Sequence, residues 1–201
     1  MYSYTITSVT ARFDEHLARA CKESGCYEIA SGIESGSPTI LRNIRKPATA
    51  EINRRFIITA KRAGLRVKAF LIVGLPRESW DTIRETYDFL EGLRRERCAP
   101  DDLDVSILQI YPGAPLYQSP QDIEFDAYTD FDKMYYKSSP GSYAELIQVR
   151  TKAMSKEDLI AARNLLEYEF KSTNWVEDHT GRKDLDRIYE TINYARKKIR
   201  D

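Results

Sequence analysis

Four short apolar or β-branched runs, 4–10, 27–31, 65–73 and 102–110, alternate with amphipathic helical patterns in the order β-α-β-α-α-β-α-β. That alternation constrains the fold more than any other feature. Consecutive strands separated by helices join through right-handed crossovers, and such crossovers produce a parallel sheet with helices on its face. The run LRVKAFLIV is nearly continuous in apolar residues and predicts a strand covered on both faces. The expectation is an α/β chain whose four strands form one side of a barrel or a small open sheet.

The helices carry their own punctuation. Asp14 is a suitable N-cap for a helix to Glu23 with Leu17, Ala20 and Cys21 inward, and Gly25 stops it. Pro38 opens a short helix to Ile44, and Lys46-Pro47 breaks it. Thr49 caps a helix to Ala63 with Ile52, Phe56 and Ala60 in register, and Ser79 caps another to about Arg97 with Ile83, Tyr87, Leu90 and Leu93 inward. Ser155-Lys-Glu-Asp158 has capping-box spacing and starts a helix to Lys171. The last helix carries Leu185, Ile188, Ile192, Ala195 and Ile199 at three- and four-residue spacing, a narrow seam suited to docking on the body or on a second chain. The sequence divides into a strand-bearing unit (1–118), a Tyr- and Asp-rich extension with a helix (119–174) and the final helix (175–201).

Basic and acidic residues balance at 31 each, so nothing calls for nucleic acid or an anionic membrane. No apolar run approaches the roughly 20 residues of a membrane span, and the N-terminus lacks a signal-peptide pattern. Three cysteines, Cys21, Cys26 and Cys98, have no disulfide-scaffold spacing and point to a reducing cytoplasm. His16 and His179 read as solvated, as do Asp130, Asp132 and Lys133, while Tyr135 and Tyr136 read as packing groups. Arg94, Arg95 and Arg97 suit the end of a helix dipole.

The strand ends carry the chemistry. Arg12 follows the first strand. The second runs into Gly32-Ile33-Glu34-Ser35-Gly36-Ser37, the third into Gly74-Leu75-Pro76-Arg77-Glu78, and the fourth into Gln109 and Tyr111-Pro112-Gly113. Parallel strands deliver their carboxyl ends to one rim, where α/β sheets and barrels bind ligands. Glycines permit close backbone approach, and helix starts attract anions.

The runs GCYEIASGIESGSPTILRNIRKPATAE, AGLRVKAFLIVGLPRESWDTIRETYDFL and LDVSILQIYPGAPLY resemble the later strands of the radical S-adenosylmethionine (SAM) superfamily, closest to the subgroup fused to a cobalamin-binding domain. The resemblance implies a partial (βα) TIM-like barrel with parallel strands and a C-terminal helical extension. It implies SAM across the strand ends: Gly32, Glu34 and Ser35 near the ribose, Gly74, Pro76 and Glu78 supporting the adenine end, Arg12 facing the carboxylate, and Tyr111 in the last turn. It also implies a 4Fe-4S cluster, and possible cobalamin, in the full-length parent. Three departures accompany it. No CxxxCxxC loop is present, the glycine-rich second-strand motif is missing, and Arg77 stands where the family turn has Gly. The chain therefore resembles the carboxyl-terminal part of such an enzyme, inactive alone. Two alternatives stand beside this: a non-catalytic module that pairs, as a homodimer for example, through an open strand edge and the last helix, and a phosphate binder using GIESGS.

Overall fold

The computed structural model describes residues 2–6, 10–120, 122–125, 149–171 and 182–200. The expectations for Ser8, Val9, Tyr128, Asp130, Phe131, Asp132, Lys133, Tyr135, Tyr136, Trp175 and His179 lie outside the described residues.

Small polar side chains set the helix starts. Asp14, Ser37, Thr49, Ser79 and Ser155 accept bonds from the N–H groups of Leu17, Ile40, Ile52, Thr82 and Asp158, respectively. They begin α1 (Glu15–Glu23), α2 (Pro38–Asn43), α3 (Ala50–Arg62), α4 (Trp80–Arg95) and α6 (Lys156–Phe170). Between α4 and α6 lies the one-turn α5 (Pro115–Gln118), and α7 (Arg182–Lys198) follows α6. Each cap satisfies a donor that a helix start would otherwise leave unpaired.

The strands are β1 (Tyr2–Ile6), β2 (Cys26–Glu34), β3 (Arg66–Val73) and β4 (Asp102–Ile107), and they form one sheet in the order β1-β2-β3-β4. All three pairings are parallel. Thr10, which the β-branched pattern places in the first strand, lies instead in a 3-10 turn, Thr10–Arg12. The fourth stops at Ile107, although the Leu108 N–H still donates to the Val73 carbonyl at 2.8 Å.

The third strand corrects a sequence expectation. Val67, Ala69, Leu71 and Val73 are buried under α3 and α4, but Lys68, Phe70 and Ile72 are only half-buried. Register places Ala30 beside Lys68 beside Asp102, and Gly32 beside Phe70 beside Asp104, on that second face. Its amino end carries ion pairs, Glu28–Arg66 at 3.4 Å and Lys68–Asp102 at 3.0 Å.

On the helical side, Ile29, Ile33, Phe56, Ile57, Leu71, Ile83, Leu90, Leu93 and Leu103 are fully buried. Each contributes about 1.5–3 kcal/mol of burial. The inward face of α3 is Asn53, Phe56, Ile57 and Ala60, rotated from the Ile52-containing stripe expected. In α1 it is Ala18 that is buried, while Leu17 is 36% exposed.

Helix α6 is buried on several sides, and it blocks the free edge of β4. Glu167 Oε1 accepts from the Val105 N–H at 3.1 Å, and Arg163 Nε donates to the Val105 carbonyl at 3.1 Å. An unpaired strand edge is a template for association, and two side chains occupy this one. The seam of α7 docks on α6 in the same chain: Ile192 and Ala195 pack on Ala161 and Leu165. A two-stranded antiparallel ribbon, β5 (Ile123–Phe125) and β6 (Val149–Thr151), packs through Ile123 and Val149 onto Ile110. Among the described residues no helix is long and apolar enough to cross a membrane.

Candidate functional site

The carboxyl end of β2 is a tight corner. The β2–β3 register shifts between Gly32 and Glu34, and Glu34 has φ +63°. Its carboxylate folds back over Gly32, where a Cβ would stand 2.5 Å from Oε1. Any side chain at position 32 would push the carboxylate out. Oε1 accepts from Lys46 Nζ at 2.7 Å, and both side chains are about one-fifth exposed (20% for Glu34, 17% for Lys46). Oε2 takes no partner among the described residues. A carboxylate with one oxygen fixed by a lysine and the other unengaged is a preset acceptor for hydroxyl groups.

Ser35 is brought to the same corner but points inward. It is 1% exposed, its Oγ bonds Thr86 Oγ1 at 2.9 Å, and it accepts from the Ser37 N–H at 3.1 Å. Ser37 in turn donates to Glu85. Gly36 meets α4 directly: a Cβ there would lie 2.6 Å from Phe89 Cβ and 2.9 Å from the Thr86 Cα. Gly36→Ala is therefore expected to destabilise the chain by about 1–3 kcal/mol in urea denaturation, because backbone cannot yield as a flexible side-chain tip can. A neutral result would show that the α2–α4 contact is loose.

The carboxyl end of β3 is organised by Glu78. This side chain is 1% exposed, and Oε2 accepts from the Gly74 N–H at 2.7 Å and the Leu75 N–H at 3.1 Å. Burial pushes its acid up to about 8, against the pull of those two donors toward the carboxylate. Glu78 is a clamp on backbone. Gly74 has φ +88°. Pro76 is buried, and with Leu75, Ile44, Pro115 and Leu116 it lines an apolar cleft of about 440 Å³ that also touches Asn43 and Arg45.

Arg77, the departure from the family turn, has φ +67°. That left-handed conformation explains why glycine suits the position. Arg77 is held by Asp122 at 2.9 Å, and Asp122 is also paired with Lys152 at 3.1 Å; these bonds hold its carboxyl below the usual carboxylate range. Arg77→Gly is expected to change stability by less than about 1 kcal/mol, since relief of backbone strain and loss of an exposed ion pair oppose one another. A thermal melt showing loss of more than twice that would mean that the pair anchors the β5–β6 ribbon.

Tyr111 is 44% exposed beyond β4, and its hydroxyl donates to Gln109 Oε1 at 3.2 Å. Arg12 is placed elsewhere. It is exposed and lines an outer groove of about 640 Å³ along α3, with Glu51, Arg54, Arg55 and Arg62. The structure thus joins Gly32, Glu34 and Ser35 in one corner and Gly74, Pro76 and Glu78 in the adjacent one, and does not bring Arg12 to either. Lys46 is the residue the sequence reading missed; its signal was the Lys-Pro break itself.

Cysteines stand at the other end of the sheet. Cys26 opens β2, eight residues before Glu34, which at about 3.3 Å per residue is roughly 26 Å away. Its Sγ donates to the Glu28 carbonyl at 3.2 Å, and burial raises the Cys21 thiol. No group of three His, Cys, Asp or Glu among the described residues could hold a metal ion.

The radical SAM superfamily is matched over residues 2–90. An uncharacterized methyltransferase of Pyrococcus horikoshii is 34% identical over 119 residues, which is 58% of this chain and 24% of that protein. A cytidylyl-2-hydroxyethylphosphonate methyltransferase of Streptomyces wedmorensis is 34% identical over 87 residues, 40% of this chain and 16% of that protein. The chain spans about a quarter or less of these relatives. Two solved structures share its fold. The cobalamin-dependent SAM radical enzyme OxsB superposes with TM-score 0.53 at 11% identity, covering 98% of this chain and 34% of that one. The radical SAM methyltransferase TsrM of Kitasatospora setae gives 0.52 at 13% identity, covering 97% and 44%. The parallel sheet is a partial barrel of that kind, and residues 2–90 match the radical SAM superfamily.

Proposed function

We propose that this chain supplies the ribose and adenine side of an S-adenosylmethionine site in a longer radical SAM protein. The observation that carries the reading is the Glu34 carboxylate, held over Gly32 by Lys46 at the carboxyl end of a parallel strand, with its second oxygen unengaged among the described residues. A vicinal diol donates two hydroxyls to such a group. The Gly74–Leu75 backbone, fixed by Glu78, and the apolar cleft beside Pro76 offer an edge and a wall to a flat heterocycle. SAM supplies the methyl or radical-forming group when bound. The residues here bind and orient it.

The cysteines do not fit a 4Fe-4S cluster. They lack its spacing, and Cys26 stands at the opposite end of β2 from the Glu34 rim. The methyltransferase names of the relatives make methyl transfer the reaction class proposed for the longer protein. A second reading, pairing of chains through β1, is favoured by β1's place at the sheet edge. Size-exclusion mass against concentration tests it.

The first reading is tested by calorimetric titration of adenosine and SAM into the chain. Binding is expected, weakened at least tenfold in Glu34→Ala and unchanged in Glu28→Ala. Absence of binding by the wild-type chain, or equal affinity in Glu34→Ala, would remove the proposal.

A further inference from the structure

Taking the ligand-facing role of Glu34 from the reading above, we propose that Asn53 is the positioning residue that keeps Glu34 in its left-handed turn. The Ser35 N–H donates to the Ile33 carbonyl at 2.8 Å across Glu34, whose φ is +63°. An i to i+2 bond about a positive φ is the rarer, strained γ-turn, and a non-glycine residue adopts it only when its surroundings impose it. The strand register also slips here, leaving Ile33 as an extra residue between Gly32 and Glu34.

Two helices impose the turn. From α4, Thr86 Oγ1 bonds Ser35 Oγ at 2.9 Å and accepts from the Gly36 N–H at 3.2 Å, which fixes the segment after Glu34. From α3, Asn53 Nδ2 donates to the Ile33 carbonyl at 3.1 Å, so that carbonyl holds two donors and cannot rotate away. Asn53 is fully buried among Phe56, Ile57 and Ala60, and its Oδ1 has no partner among the described residues. A half-satisfied amide on an apolar helix face opposes folding. Leucine would fill a similar volume without that penalty, and the property it lacks is the donor to Ile33. When that bond is removed, the turn relaxes to negative φ and the carboxylate leaves Gly32 and Lys46.

The experiment is NMR on the full chain, reading the sign of φ at Glu34 from its Cα and Cβ shifts and the exchange rate of the Ser35 amide. Asn53→Ala is expected to lose the positive-φ signature and to speed Ser35 exchange by about tenfold. Amides of Val67 and Leu71 stay protected. Asn53→Asp behaves like Asn53→Ala at high pH and recovers at low pH, where its protonated carboxyl donates again, each rate taken relative to wild type at the same pH. A folded Asn53→Ala with positive φ and unchanged Ser35 exchange overturns the proposal. If Asn53→Ala does not fold, an Asn53→Asp chain whose Ser35 rate shows no such pH dependence overturns it. Adenosine affinity in the variants should fall by the fraction of turn lost. Failure of the wild-type chain to bind adenosine would remove the ligand reading and leave the turn result standing.

Discussion

Glu167→Ala is expected to cost about 3–5 kcal/mol, the range for breaking a buried ion pair from one side. Glu167 is 1% exposed, and its Oε2 pairs with Arg163 at 3.0 Å. Removing it takes a carboxylate from a guanidinium that is itself 9% exposed, and orphans the Val105 N–H. Set against a total of about 5–15 kcal/mol for a domain, this is a large share of stability. The double variant Arg163→Met/Glu167→Leu is expected to cost less than the single one, because it removes both buried charges together. Urea denaturation of the three chains decides the matter. A single variant within about 1 kcal/mol of wild type would show that water reaches the pair.

The second large effect is at Glu78. Glu78→Ala orphans two buried backbone donors, at about 1–3 kcal/mol each, and releases the β3 corner. Its pH dependence has a definite sign. The folded chain holds the Glu78 proton up to about 8, whereas the unfolded chain releases it near the ordinary value of 4.5. Stability from this group is thus complete below pH 4.5, falls as pH rises, and is gone above 8. Full linkage corresponds to roughly 5 kcal/mol, at 1.36 kcal/mol per unit. Glu167, raised mainly by burial, slopes the same way. Glu78→Gln keeps the acceptor oxygen and cannot ionise. Denaturation midpoints from pH 5 to 8 should therefore decline clearly in wild type and less in Glu78→Gln. Parallel declines would place the carboxylate, not the acid, in the folded corner.

What was legible in the sequence was whatever repeats or punctuates. Asp14, Thr49, Ser79 and Ser155 announce helices because capping is a local matter between a side chain and an N–H three residues on. The capping box at Ser79 was hidden because its reciprocal partner is Thr82, not a Glu or Gln. The glycines of GIESGS were visible, but their separate reasons were not: Gly32 yields to the returning Glu34, and Gly36 to α4. Lys46 and Glu34 meet across 12 residues of turn and helix, with no periodicity to connect them. Asn53 left a trace, a polar residue at i with Phe56, Ile57 and Ala60 at i+3, i+4 and i+7. Arg163 and Glu167 left a similar one in α6. In each case a hydrophilic group on a greasy face marks backbone that needs a partner.

The occupied edge of β4 makes the sheet directional in its assembly. With Val105 saturated by two side chains, a strand can be recruited only beside β1, among the described residues, and the sequence of any larger sheet containing this region is read outward from that border. Among the described residues, that makes the two borders of the sheet unequal: one obstructed by side chains, the other with its backbone on offer.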